Sequence, residues 1–173
     1  LRHSSAASDV YKRQVSKNIF VLGHDSEKLK QHIHSAEFVI QEPQLGTGHA
    51  VKLTKNKFEK PETIILVSYA DTPFIEAKTI RKMIDQIQNG FKISILGFET
   101  ENPAGYGRLI LNKKNEVIKI VEDNDADEEV KSITLCNSGV LAGKASDIFK
   151  FLDKVQLSNN GEYLSLIHIS EPT

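Results

Sequence analysis

The stretch Thr63-Ile64-Ile65-Leu66-Val67-Ser68-Tyr69 constrains the fold more than any other part of this chain. Its apolar residues are continuous rather than alternating, as expected for a strand covered on both faces, the usual state of a parallel sheet. Beyond it, Ile75 to Ile87 reads as a helix in which Ile80, Met83, Ile84 and Ile87 make one apolar stripe, ended by Asn89-Gly90. Lys92 to Phe98 is again a strand. Strand, amphipathic helix and strand in that order predict an α/β fold with a mostly parallel sheet.

The segments before it follow the same rhythm. Asn18 to Leu22 is a short apolar strand closed by Gly23, and Asp25 or Ser26 can cap a helix carrying Leu29 and Ile33. Phe38 to Gln41 is a second strand. It runs into Gln44-Leu45-Gly46-Thr47-Gly48-His49, where two glycines flanking a threonine allow a tight turn and close approach of backbone to a ligand. A short helix is expected from Gly48, followed by a charged connection from Lys55 to Pro61.

The second half changes character. Gly107 to Leu111 and Val117 to Glu122 read as two strands around the polar turn Lys113-Lys114-Asn115-Glu116, an antiparallel insertion. Asp123 to Lys131 is acidic and expected to be exposed. Ile133 to Leu141 is a strand interrupted near Asn137-Ser138-Gly139, and Asp147 to Val155 is a helix with Ile148, Phe149, Leu152 and Val155 on its apolar side.

The formal net charge of -1 offers nothing to nucleic acid or to an acidic membrane surface. The single cysteine, Cys136, lies in an apolar segment; it reads as a core residue and fits a reducing, cytoplasmic setting. His32 and His34 lack partners at metal-ligand spacing, so no zinc site is expected. Residues 1–14 and 164–173 show no structural period and read as adapter-derived or disordered, which leaves 15–163 as the informative chain.

In open α/β sheets ligands lie beyond the carboxyl ends of strands, where Asp71 falls. One carboxylate there suits Mg²⁺, which takes one or two carboxylates plus substrate phosphates, and suits a helix N-cap equally. Gln41 carries a donor and an acceptor that can read the edge of a base, or is an idle surface amide. Glu122 and Asn137 end adjacent strands and could accept from and donate to sugar hydroxyls; a solvated carboxylate and a satisfied core amide are their plainer readings. Gly105-Tyr106-Gly107-Arg108 could set a backbone amide against a ligand or simply lead into a strand.

Taken in order, Gln41 with Gln44 to Ala50, Tyr69 to Pro73, Pro103 to Arg108, Ile120 to Asp123 with Asp125-Ala126, and Asn137-Ser138-Gly139 resemble one family. It is the N-terminal uridyltransferase domain of the bacterial bifunctional N-acetylglucosamine-1-phosphate uridyltransferase and glucosamine-1-phosphate acetyltransferase. Val21 to His24 and Gly161-Glu162-Tyr163 fit as well. The resemblance implies a nucleotide-diphospho-sugar transferase fold, Rossmann-like with an antiparallel sugar-binding insertion. It implies attack of N-acetylglucosamine 1-phosphate on the α-phosphorus of UTP, giving pyrophosphate and UDP-N-acetylglucosamine for cell-envelope synthesis. Gln41, Gly46 and Thr47 would hold the uracil; Tyr69 and Ala70 would line the ribose and phosphate side; Asp71 would ligate Mg²⁺; Gly107, Glu122 and Asn137 would hold the sugar.

Three departures from the family pattern bear on activity. Ala70 stands where the family usually has glycine. The family's first strand and its glycine-rich loop with an arginine and a lysine have no counterpart from Val15 onward. Likeness also stops at Tyr163, before the second Mg²⁺ ligand and the β-helical acetyltransferase domain through which the family forms trimers. An incomplete domain, monomeric and largely inactive alone, is therefore expected. Another sugar-nucleotide pyrophosphorylase of the same fold, or a non-catalytic nucleotide-sugar binding module, are the alternatives.

Overall fold

Strand β7 (Leu135–Lys144) is the strand on which the larger sheet is assembled. The computed structural model describes residues 15–23, 27–33, 36–69, 72 and 74–154. Along these run β1 (Ile19–Leu22), α1 (Glu27–His32), β2 (Glu37–Ile40), α2 (Gly46–Lys52), β3 (Ile64–Val67), α3 (Ala77–Gln88) and β4 (Ile93–Glu99). The hairpin β5 (Arg108–Leu111) and β6 (Val117–Val121), α4 (Glu128–Lys131), β7 and α5 (Ala145–Lys154) follow.

Strand β7 is antiparallel to every strand it pairs with. Its later residues pair with β3 (Val67 opposite Leu141) and its early residues with β5 (Arg108 opposite Cys136). Strand β4 spans both stretches and so takes the other edge, from Ile93 opposite Gly143 to Glu99 opposite Leu135. Strands β3 and β4 therefore run the same way, as the strand-helix-strand pattern requires, with β7 lying between them. Direct parallel pairing among the described ladders is confined to β1 with β2, which corrects the expectation of a mostly parallel sheet. The α/β class and the antiparallel hairpin stand. The unbroken apolar run of β3 has its cause in two covered faces rather than in parallel neighbours.

Those faces separate cleanly. Met83 and Ile87 of α3 pack on Val140 and Ala142, with Ile64, Leu66 and Leu96 against them. On the opposite face Ile148, Phe149 and Leu152 of α5 and Val51 of α2 pack with Ile65, Leu109, Ile120 and Leu141. The predicted stripe on α3 holds, with Ile80, Met83 and Ile87 buried. The helix ends in a Schellman motif: Phe91 N donates to Gln86 O and Gly90 N to Ile87 O, and Gly90 takes φ +101°. Its N-cap is Glu76. Cys136 is buried, as its apolar surroundings suggest, and burial pushes its thiol up.

The predicted break in β7 is a bulge. Between Ile95 and Gly97 strand β4 advances two residues while β7 advances from Leu141 to Asn137. Ser138 repairs the ladder: its Oγ donates to Leu96 O at 2.6 Å and accepts from Val140 N at 3.2 Å. The pair β1–β2 is held to the body in part by Glu37, whose carboxylate meets Lys17 at 2.7 Å and Lys57 at 3.2 Å. No helix among the described residues is long and apolar enough to cross a membrane. The helix caps expected at Asp25 or Ser26, and Val155 in the last helix, lie outside the described residues.

Ile148 is fully buried between α5 and the sheet. Ile148→Ala should lower unfolding stability by about 2–5 kcal/mol in urea titration; a loss under ~1 kcal/mol would remove Ile148 from the core.

Candidate functional site

The end of β3 and the start of β5 approach each other along one edge of β7, opposite Leu141 and Cys136 respectively. Most of the predicted site residues gather at this junction. Asn137 N donates to Gly107 O at 2.7 Å, drawing the loop before β5 onto β7. Asn137 Oδ1 accepts from Gly139 N at 2.9 Å. That bond uses one lone pair of the amide oxygen, and the Asn137 NH₂ still has two hydrogens to donate. Glu122 follows the last residue of β6 and lies beside Gly107, where an added Cβ would come within 3.1 Å of its Oε2. Glu122 and Asn137 do not end adjacent strands as expected. Strand β5 lies between β6 and β7, and Asn137 is near the start of its strand; the two meet across Gly107.

Gly139, which sequence reasoning did not place in the site, joins this cluster to the nucleotide side. It has φ +76°, and a Cβ on it would overlap the Tyr69 ring. The ring therefore lies directly on the bulge, and its hydroxyl hydrogen-bonds Thr47 Oγ1 at 2.9 Å. Thr47 belongs to the first turn of α2, which begins at Gly46 rather than Gly48, so the Gly-Thr-Gly stretch is helix and not loop. Gly46, with φ +84°, makes the turn into it. Gln41, at the end of β2, donates from Nε2 to Gly46 O at 2.9 Å and to His49 Nδ1 at 3.1 Å. That excludes the idle surface amide. Gln41, Gly46, Thr47, Tyr69, Asn137, Gly107 and Glu122 thus form one run, in which Gly139 links Tyr69 to Asn137. Ala70 and Asp71 lie outside the described residues. Among the described residues no group of three or more His, Cys, Asp or Glu could hold a metal.

Arg108 is another residue the sequence did not single out. It is 2% exposed, and its Nη1 donates to Tyr106 O and pairs with Asp123 Oδ1 at 2.9 Å. Its Nε is buried with no hydrogen-bond partner among the described residues. Asp123 was expected to be part of a solvated acidic face. Instead the Gly105 amide, and after it the Arg108 guanidinium, holds its carboxyl below the usual range. This clamp fastens the 105–107 loop to the residue after Glu122. The available signal was an arginine opening an apolar strand, with a carboxylate at the far end of the same hairpin.

A concavity of about 530 Å³ lies elsewhere, lined by Lys55, Phe58, Pro61, Ala145, Phe149 and Asp153 among others. It contains none of the predicted site residues, and its Lys55 and Asp153 pair with each other at 2.8 Å.

A core of strands sandwiched between helices, with glycines and polar side chains gathered at a strand-end junction, is the arrangement of a nucleotide-sugar transferase fold. The chain belongs to the nucleotidyl transferase family, whose model matches residues 6–160. It is similar to the bifunctional protein GlmU of Sphingopyxis alaskensis, 35% identical over 89% of this chain and 35% of that protein. It is also similar to the GlmU proteins of Ruegeria sp. strain TM1040, 40% identical over 85% of this chain and 33% of that protein, and of Clostridioides difficile, 36% identical over 90% and 34%. The chain therefore spans about a third of the length of these curated relatives. In fold it is similar to an apo UDP-glucose pyrophosphorylase, with TM-score 0.72 and 16% identity over 92% of this chain and 70% of that one. A putative glucose-1-phosphate thymidylyltransferase from Bacillus anthracis gives TM-score 0.68 and 14% identity over 91% of this chain and 63% of that one.

Two outcomes follow from this geometry. Gly139→Ala should displace the Tyr69 ring and break its hydrogen bond to Thr47, seen as changed Tyr69 ring shifts by NMR and a stability loss of about 1–3 kcal/mol. Unchanged ring shifts would mean Tyr69 does not rest on the bulge. Because the folded Asp123 carboxyl lies below its ordinary value of 3.8, its clamp stabilises the fold above that pH and is lost as pH falls through the lower folded value. The stability gap between the unsubstituted chain and Asp123→Asn should be full near neutral pH and close on acidification, with a pH-independent gap counting against the clamp.

Proposed function

We propose that this chain is the sugar-nucleotide-binding part of a uridyltransferase that makes UDP-N-acetylglucosamine and pyrophosphate from UTP and N-acetylglucosamine 1-phosphate. The observation that carries this reading is the unbroken run of contacts from Gln41 to Glu122. It joins a base-reading amide to a sugar-reading carboxylate and amide within one junction. The 35% to 40% identity to GlmU proteins supports the choice within the family.

In this proposal Gln41, Gly46 and Thr47 hold the base, and Tyr69 and Ala70 flank the ribose and phosphates. The Gly107 backbone, the Glu122 carboxylate and the Asn137 NH₂ hold the sugar, the carboxylate accepting from a hydroxyl and the amide donating to one. Asp71, with substrate phosphates, is the Mg²⁺ ligand proposed from this chain; bound Mg²⁺ would neutralise charge on the phosphates. The clamp at Arg108 and Asp123 keeps Gly107 facing Glu122, so sugar contacts are set before ligand arrives. A cytoplasmic setting suits this role.

A ligand bound by the folded state alone raises the melting midpoint. UDP-N-acetylglucosamine with Mg²⁺ at a hundred times its dissociation constant should add ~2.7 kcal/mol, a shift of several degrees, and UDP-glucose should add less. An equal or larger shift with UDP-glucose would move the assignment to another pyrophosphorylase of this fold; no shift with either would remove the proposed pocket. Assayed with UTP and the sugar phosphate, the chain alone should form little or no UDP-N-acetylglucosamine, and robust turnover would overturn that expectation.

A further inference from the structure

We propose that His49 is a positioning residue that fixes which end of the Gln41 amide a base can meet. The inference deepens the proposed function and rests on it for the identity of the ligand. A backbone carbonyl can only accept, so the Gln41 atom 2.9 Å from Gly46 O must be the NH₂ nitrogen. The same nitrogen lies 3.1 Å from His49 Nδ1. An amide NH₂ has two hydrogens, and these two partners use both. For the second bond to exist, His49 Nδ1 must carry a lone pair, which puts the ring proton of the neutral imidazole on Nε2. With both hydrogens committed, Gln41 has only Oε1 left to offer.

A fixed acceptor selects a ligand that brings an N–H. Uracil presents N–H at ring position 3, whereas cytosine presents a lone pair there, which would face Oε1 in repulsion. If the amide were free to turn, Gln41 could answer either base by exchanging its NH₂ for its oxygen. Gly46 and His49 remove that freedom together: turning the amide would set Oε1 against the Gly46 carbonyl, and with the His49 proton on Nε2 it would also set Oε1 against the Nδ1 lone pair. The selectivity of the base site then depends on a histidine one helical turn inside α2 that need not touch the base. Both residues flank the turn at Gly46, so the helix start that carries Thr47 and the base-reading amide are set by the same contacts.

The test compares UTP and CTP binding by calorimetry in the full chain, in His49→Leu and in His49→Asn. Asparagine can return an acceptor near the place of Nδ1, and leucine cannot. The unsubstituted chain should prefer UTP by about tenfold or more, His49→Leu should lose most of that ratio, and His49→Asn should recover it. Undiminished preference in a folded His49→Leu would overturn the role of His49 while leaving the proposed function standing. Equal or absent binding of UTP and CTP by the unsubstituted chain would overturn the reading of the base site itself. Nitrogen-15 NMR of the His49 ring in the unsubstituted chain decides the point if the leucine variant does not fold. A proton on Nε2 is expected, and one on Nδ1 would overturn the proposal.

Discussion

Much of the site depends on the bulge in β7. On β7 the pairing with β3 stops at Leu141 and that with β5 lies at Cys136. The bulge places extra residues between Asn137 and Leu141, and Ser138 satisfies backbone groups that the lost register leaves behind. Positive φ at Gly139 removes the side chain that would otherwise fill the junction. Tyr69 occupies that space and carries the connection to Thr47. One local irregularity thus leaves room for the site, turns Asn137 towards it and supports the tyrosine that links its two sides.

The second dependence is electrostatic. Burying a guanidinium is costly unless its charge is balanced, and Arg108 is balanced by Asp123 on one hand and the Tyr106 carbonyl on the other. The arrangement is a poor way to gain stability and a good way to fix a loop. The three backbone positions it touches, Gly105, Tyr106 and the start of β5, bracket the glycine that faces Glu122. Tyr106 adds a weaker restraint, its ring edge-on to Phe98 with centroids 5.0 Å apart. An apolar replacement of the pair could hold the fold equally well, but it would not direct the loop.

Elements with strong periodicity were legible in the sequence: the stripe on α3, the apolar side of α5, the hairpin and its polar turn. So was the order of strands and helices. Pairing partners were not, because a strand covered on both faces looks the same whether its neighbours are parallel or antiparallel. The apolar run of β3 is the case in point. Of the residues expected in the site from residue type and family likeness, Gln41, Gly46, Thr47, Tyr69, Gly107, Glu122 and Asn137 fall in one connected set. Gly139, Arg108 and His49 were passed over because their roles lie in contacts with residues distant in the chain or on another element. Neither the Tyr69 ring over Gly139 nor the carboxylate beside Arg108 leaves a periodic trace.

The location of the site relative to the concavity near Phe149 follows from how each is built. That hollow lies where α5 meets the segment after α2, with Phe58 and Phe149 in contact at its base and Lys–Asp pairs at its margin. It is what two packed elements leave between them. The junction at β7 is instead formed by strand ends whose backbone groups have left the ladder. The nucleotide sugar proposed as ligand would offer hydroxyls, an imide and phosphates rather than apolar surface, and would be matched by fixed donors and acceptors more than by a deep apolar cavity. In the proposed site the groups left to a ligand include the Asn137 NH₂, beside the oxygen that Gly139 N reaches, and Gln41 Oε1, once Gly46 and His49 have its hydrogens.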